Sequence, residues 1–118
     1  MRAIETAVLL AVGSELTTGS TRDTNSGDLA RELTLLGVRV LRNVALPDDL
    51  TIATAAFEHA LEDADLVVST GGLGPTPDDL TREAIAAACG LQPRVDDALL
   101  AWIEGLFTRR GLEMPDAN

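Results

Sequence analysis

A glycine-rich run between an apolar segment and an alanine-rich segment constrains this chain more than any other feature. The run is Thr70-Gly71-Gly72-Leu73-Gly74-Pro75-Thr76, and it continues through Asp78-Asp79-Leu80-Thr81. The apolar residues 66–69 predict a buried strand before it, and residues 83–89 predict a helix after it. A glycine-rich turn from a strand into a helix N-terminus suits a phosphate, because the backbone can approach the ligand and the helix dipole favours an anion.

Two adjacent carboxylates, Asp78 and Asp79, lie in the same turn. Such a pair does not suit a bare phosphate, but it suits a phosphate that is accompanied by a divalent cation such as Mg²⁺. Either residue also suits the N-cap of the following helix, which needs only one of them. The segment therefore predicts a metal-assisted phosphate or nucleotide site, with helix capping as the alternative role of each Asp.

Segments with strand character alternate with segments of helical periodicity. The predicted strands are residues 6–12, 38–44 and 66–69; two helices lie between them, and two more follow at 83–89 and about 96–110. This order predicts an α/β fold of three layers, in which a mostly parallel sheet carries helices on both faces. Residues 1–118 are predicted to be one domain, and its thin sheet suggests that the domain is incomplete after residue 118.

Three polar loops follow the predicted strands, at residues 13–25, 46–49 and 71–79, and all are rich in Gly, Asp, Thr and Ser. Because the carboxyl ends of parallel strands meet at one edge of a sheet, we expect these loops to form a single ligand site. Glu15 in the first loop suits a metal-bound water or a ribose hydroxyl, and it equally suits the role of a solvated acid. Arg82, in the first turn of the third predicted helix, suits a phosphate contact or plain exposure.

The composition excludes several classes of function. A net charge of −10 argues against a broad duplex-DNA surface, although local dipoles and single Arg residues still allow a nucleotide to bind. No apolar run reaches the ~20 residues that a membrane span needs, and the N-terminus shows no export signal, so we expect a cytoplasmic protein without nucleic-acid or membrane partners. The single cysteine, Cys89, excludes an internal disulfide and is predicted to be a small buried thiol.

These motifs resemble the N-terminal domain of the competence/damage-inducible CinA family, which shares its fold with the molybdopterin-binding MoaB, Mog and gephyrin proteins. The resemblance covers nearly the whole chain, and the segment from Thr70 to Thr81 is its most specific part. The other matching segments are Gly13-Ser14-Glu15-Leu16 with Gly19, and Asp23-Thr24-Asn25.

The resemblance implies two alternative functions. The CinA branch is associated with metal-dependent cleavage of ADP-ribose to AMP and ribose 5-phosphate, and Leu73 together with the Pro-Thr-Pro-Asp-Asp insert favours this branch. The molybdopterin branch binds a pterin, which Mog and gephyrin activate with ATP; the Pro47-Asp48-Asp49 turn looks more like this branch. A binding module without turnover is therefore the alternative to a hydrolase. The resemblance also implies a homo-oligomer.

Asp48 and Asp79 match the positions that serve the reaction with magnesium in the Mog branch, so the resemblance implies that they are catalytic and, with Asp78, bind the metal. Asp48 has an alternative role as an N-cap, and Asn25 suits capping better than ligand contact. His59 is expected to have no role. The full set of predicted ligand contacts is Gly13, Glu15, Asn25, Thr70, Gly71, Gly72, Gly74, Pro75, Thr76 and Arg82.

Overall fold

A computed structural model describes residues 3–115 of the chain. Strands and helices alternate from the N-terminus, and two helices follow the last strand. The elements are β1 (Thr6–Val12), α1 (Ser14–Thr17), α2 (Asn25–Leu35), β2 (Arg39–Leu46), α3 (Leu50–Asp63), β3 (Leu66–Thr70), α4 (Thr81–Ala88) and α5 (Asp97–Arg109). The predicted first strand is confirmed to the residue, and the predicted α/β class is confirmed by the element order.

The three strands form one parallel sheet in the order β2-β1-β3, so β1 lies at its centre. Every residue of β1 after Thr6 is buried, as expected for a strand that is covered on both faces. The first connection joins β1 to its parallel neighbour β2, and the second passes across β1 to join β2 to the parallel strand β3. Right-handed crossovers in opposite directions place α2 and α3 on opposite faces of the sheet, which gives the three predicted layers.

The main core lies between β1 and α3. Val8, Leu10 and Val12 alternate along the strand and face Phe57 and the small side chains of α3. Ala7, Leu9 and Ala11 are buried on the opposite face, on which α2 packs. Burying a side chain the size of Phe57 or Leu9 contributes about 1.5–3 kcal/mol, so β1 fixes the framework on which the loops are held.

On α2, Leu29 and Leu33 are half-buried, but Leu36 ends the helix and is 78% exposed. The predicted burial of the third strand is only partly correct. Every residue of β3 is half-buried, because within residues 3–115 this strand pairs with β1 alone. Among residues 3–115, no helix is both long and apolar enough to cross a lipid bilayer.

The last helix, α5, differs from α2, α3 and α4 because none of its residues is buried. Asp96 caps α5 by accepting a hydrogen bond from the backbone N–H of Leu99 at 3.0 Å. The side chain of Trp102 is 60% exposed. The predicted burial of Cys89 is wrong: this residue ends α4, and its side chain is exposed.

Candidate functional site

The carboxyl ends of the three strands lie side by side, and their loops are joined through the backbone. The N–H of Gly13, directly after β1, donates to the carbonyl of Leu46 at the end of β2 at 2.8 Å. On the other side of β1, Gly71 lies so close to the carbonyl of Val12 that a Cβ at this position would collide with it. The fold therefore brings all three predicted loops to one edge of the sheet.

The glycine loop after β3 is fixed by Thr81, the first residue of α4. Its Oγ1 donates to the carbonyl of Gly71 at 2.7 Å, and its backbone N–H donates to the carbonyl of Gly72 at 3.2 Å. Thr81 is fully buried, and a Cβ at Gly72 would overlap with its hydroxyl. Gly71 and Gly72 have φ values of +82° and +67°, a region that favours glycine. Both glycines are therefore required by the path of the loop.

Asp79 does not cap α4, so that alternative is wrong; neither does Asp78, since the residue at the N-cap is Leu80, which makes no side-chain cap bond. Asp79 instead closes its own turn. Its Oδ2 accepts from the hydroxyl of Thr76 at 2.7 Å and from the backbone N–H of Thr76 at 3.0 Å. These hydrogen bonds from Thr76 hold the pKa of the Asp79 carboxyl below its usual range, with smaller contributions from Gly74 and from the charge of Arg82.

Asp48 is likewise not a cap, because Asp49 takes that role by accepting from the N–H of Ile52 at 2.9 Å. Asp48 is paired with Ser14 across the two loops. The backbone N–H of Ser14 donates to Asp48 Oδ2 at 3.2 Å, and the backbone N–H of Asp48 donates to Ser14 Oγ at 2.9 Å. This reciprocal pair holds the Asp48 carboxylate beside the end of β1.

The predicted metal ligands do not form a ready-made metal centre. Within residues 3–115, no group of three or more His, Cys, Asp or Glu side chains is close enough to bind a metal ion together. Asp48 follows β2 and Asp79 follows β3, and these two strands lie on either side of β1. At the usual spacing of neighbouring strands, the axes of β2 and β3 are about 10 Å apart. Such a set fits Mg²⁺ only in its usual protein setting, where one or two carboxylates share the ion with waters and substrate phosphates.

A cavity of about 310 Å³ lies between the first loop, the N-terminus of α2 and the end of β3. It is lined by the predicted residues Glu15, Asn25, Thr70 and Gly71, and also by Val12, Leu16, Thr21, Arg22, Asp23 and Thr24. The structure thus brings four of the predicted ligand residues around one space. The Glu15 carboxylate also folds back against the Cα of Gly13.

The predicted cap of α2 is wrong in its residue. Asn25 is the first residue of the helix, and it is Asp23 that accepts from the backbone N–H of Ser26, at 3.1 Å. Asn25 is thereby exposed at the cavity instead of being used as a cap. The hydroxyl of Ser26, just below it, is buried and has no hydrogen-bond partner among the described residues.

The remaining predicted residues are at the outside of the site. Pro75, Thr76 and Asp78 are exposed in the turn after the glycine loop. Arg82 is exposed on the first turn of α4, and its Nη2 lies 4.0 Å from Glu83 Oε1, which is a weak contact. Arg82 is therefore available to an anion at the glycine loop.

Sequence reasoning missed Ser14, Arg22 and Thr81 as site residues. Ser14 and Asp48 are 34 positions apart, so their pairing has no local sequence signal. Thr81 is the last residue of the glycine-rich motif, and its position directly after the loop was the available signal for its role. Arg22 was identifiable only as a lone cation in a loop that is otherwise acidic and polar.

The sequence of the chain matches the profile of one protein family, and this match covers both the sheet and the three loops. The sequence profile of the family described as "Probable molybdopterin binding domain" matches residues 8–115. The chain belongs to this family.

Comparison with individual proteins confirms the resemblance to CinA. The chain is 50% identical over 112 residues to a CinA-like protein of Deinococcus deserti, covering 95% of this chain and 28% of that protein. It is 48% identical over 112 residues to a CinA-like protein of Deinococcus radiodurans, again covering 95% and 28%. The chain thus spans little more than a quarter of the length of these relatives.

Solved structures agree with the fold. The crystal structure of the protein CinA with unknown function from Thermoplasma acidophilum superposes with a TM-score of 0.85 at 39% identity, over 97% of this chain and 67% of that one. The tungsten cofactor synthesizing protein MoaB from Pyrococcus furiosus has a TM-score of 0.68 at 23% identity, over 94% and 68%. The second likeness bears on the fold alone, and it confirms the predicted MoaB-type architecture.

Proposed function

We propose that this chain is a small-molecule-binding domain that holds the phosphate of a nucleotide or pterin on its glycine loop. The observation that carries the proposal is that two successive backbone N–H groups of this loop are unpaired among the described residues. The N–H groups of Gly72 and Leu73 donate to no acceptor among the described residues. The carbonyls of Gly71 and Gly72, by contrast, accept hydrogen bonds from Thr81. Successive unpaired N–H groups in a glycine-rich turn form an anion-binding concavity.

The family match supports a small-molecule ligand of this kind. The fold places the loop at the carboxyl edge of a parallel sheet, where ligands bind in open α/β folds. Arg82 on the adjacent helix turn adds a positive charge that the net charge of −10 does not remove locally. Oligomerisation remains a prediction of the resemblance.

Hydrolysis of a diphosphate such as ADP-ribose is the second candidate function, and the fixed Asp79 carboxylate favours it. Asp79 is held beside the loop by Thr76 with a lowered pKa, so it is ionised at neutral pH and can accept from a water or a hydrated ion. Asp48, fixed by Ser14, can do the same from the other side of β1. A bound divalent ion would supply neutralisation of phosphate charge and a more acidic water.

In that reaction one water adds across the diphosphate. The bond from one phosphorus to the bridging oxygen breaks, a new bond forms from the water oxygen to that phosphorus, and AMP and ribose 5-phosphate leave with the displaced proton passing to solvent. Asp79 and Asp48 would orient the water and the ion, while the amides of the glycine loop would stabilise the phosphate oxygens.

The test measures binding and turnover separately. Thermal stabilisation of the 118-residue chain by AMP, ADP-ribose and a pterin phosphate reports on binding, and AMP release from ADP-ribose with Mg²⁺ or Mn²⁺ reports on hydrolysis. The Asp79→Asn variant should lose any hydrolysis, and Asp97→Asn, an exposed carboxylate in the first turn of α5, should keep it. Stabilisation without product supports the binding domain alone, and a folded chain that none of these ligands stabilises contradicts the proposal.

A further inference from the structure

The helix α5 carries an apolar stripe that nothing covers among the described residues. Within residues 3–115, neither the sheet nor another helix packs extensively on α5. Leu99 and Trp102 are 59% and 60% exposed, and Leu106, which is half-buried, follows them at helical spacing. These three residues are called the α5 stripe. A helix normally buries such a stripe against another element, so an uncovered one indicates an interaction surface.

The two ends of α5 carry opposite charges. Asp96 and Asp97 lie at its N-terminal end, and Arg109 and Arg110 lie at its C-terminal end. Neither arginine forms an ion pair with any residue that the structure describes. Two copies of α5 that pack antiparallel therefore bring each acidic end to a basic end, whereas two parallel copies bring like charges together.

The apolar stripe and the charged ends are centred on nearly the same point of α5. Leu99 and Leu106 lie on either side of Trp102, and the acidic and basic ends lie equally far from Ile103, the next residue. One twofold axis at this point therefore places the stripe of one copy on the stripe of the other and also pairs the opposite charges. A twofold interface repeats each contact, so every favourable pair occurs twice.

The composition of α5 suits other occupants less well. A helix that lies on an anionic membrane surface is typically rich in Lys and Arg on its polar face, whereas the polar residues of α5 include Asp97 and Glu104. The net charge of −10 likewise disfavours a nucleic acid. A second copy of the chain, by contrast, supplies both the apolar stripe and the complementary ends.

We propose that α5 is a homodimer interface, in which it packs antiparallel on α5 of a second copy with Trp102 at the centre. Tryptophan is enriched among the residues that contribute most to binding at such interfaces. The helix has 13 residues and is about 20 Å long. One helix from each copy covers less than the ~800 Å² per partner of a stable interface, so the dimer is expected to be reversible. The proposed ligand site contains no residue of α5, so this inference is independent of the proposed function.

The experiment is sedimentation equilibrium of the 118-residue chain from about 1 μM to about 500 μM. A salt concentration of about 0.15 M limits the repulsion between the acidic copies to a range of about 8 Å. We expect a reversible equilibrium between monomer and dimer. Trp102→Ala should raise the dissociation constant about a hundredfold, because both copies lose the central side chain. Leu35→Ala removes a similarly exposed apolar side chain from α2 and should leave the constant unchanged.

A pair of charge variants tests the antiparallel orientation. Arg109→Glu with Arg110→Glu makes both ends of α5 acidic and should weaken the dimer about tenfold. Arg31→Glu with Arg39→Glu changes the net charge equally at exposed positions outside α5, so it is the matched control. In a parallel pair the C-terminal ends repel each other with either sign of charge, so the first variant would then weaken the dimer no more than the control.

Several outcomes would overturn the proposal. One is a folded wild type that stays monomeric over the whole concentration range, and another is a dimer that Trp102→Ala leaves intact, because its interface then lies elsewhere. Equal weakening by the two charge variants contradicts the antiparallel arrangement. Trp102-dependent cosedimentation of a monomeric chain with vesicles of phosphatidylcholine and phosphatidylserine would assign α5 to a lipid surface in place of a second copy.

Discussion

Replacing Thr81 by Val tests whether one buried hydroxyl fixes the glycine loop. The two side chains have nearly the same shape, so the change removes the 2.7 Å hydrogen bond to the Gly71 carbonyl without leaving a cavity. A net hydrogen bond contributes about 1 kcal/mol, and a buried acceptor left without a partner costs a further ~1–3 kcal/mol. Gly71 is exposed, so water can replace part of the lost bond. We therefore expect the free energy of unfolding to fall by about 1–2 kcal/mol.

The assay is urea unfolding followed by far-ultraviolet circular dichroism, with Thr34→Val as the matched control. Thr34 also donates its hydroxyl to a backbone carbonyl, that of Ala30 at 2.8 Å, but it is exposed on α2. The control should change the free energy of unfolding by less than about 0.5 kcal/mol. The reasoning is refuted if Thr81→Val is as stable as the control. We also expect Thr81→Val to weaken binding of AMP, because a loosened loop presents its N–H groups less well.

Three further outcomes follow from the same framework. Gly72→Ala should destabilise the chain by about 1–3 kcal/mol, because of the positive φ and the overlap with Thr81, and urea midpoints beside Gly19→Ala, which has a positive φ but open space around it, would separate the two causes. Phe57→Ala should cost about 3–5 kcal/mol by the same assay, since this ring is buried against β1; a cost below that of an exposed substitution would contradict the core assignment. The pKa of Asp79 is lowered in the folded state, so its contribution to stability is present above the pKa of about 3.9 of an unfolded Asp and is lost as the pH falls through the folded value. Asp79→Asn should accordingly reduce the fall in the free energy of unfolding between neutral pH and about pH 3. An unchanged dependence of this free energy on pH would count against the coupling.

Much of the fold was predictable from the sequence because the signals are local. Residues 6–12 form a continuous apolar run, and a run of this kind is buried on both faces only in the middle of a parallel sheet. Gly37 and the Pro47 turn separate the next elements, so their order follows from short-range chemistry. Once the strands are parallel, the position of the three polar loops at one edge follows from topology alone.

Neighbouring carboxylates were the main source of error. Asp48 and Asp49 are equally good caps by residue type, and so are Asp78 and Asp79; the backbone conformation decides which side chain reaches a free N–H. In the first pair the cap is Asp49, which leaves Asp48 to Ser14. In the second pair, the hydroxyl of Thr76, three residues earlier, donates to the Asp79 carboxylate, which is therefore not used as a cap.

The exposed last helix has a practical consequence for spectroscopy. Trp102 is the only tryptophan and the chain has no tyrosine, so nearly all intrinsic fluorescence arises from α5. Because this indole is already 60% exposed, the emission reports on the surroundings of α5 and hardly at all on the sheet. A flat emission trace in urea is therefore compatible with complete loss of the β1 core, whereas a blue shift with rising protein concentration would show that another molecule covers this helix.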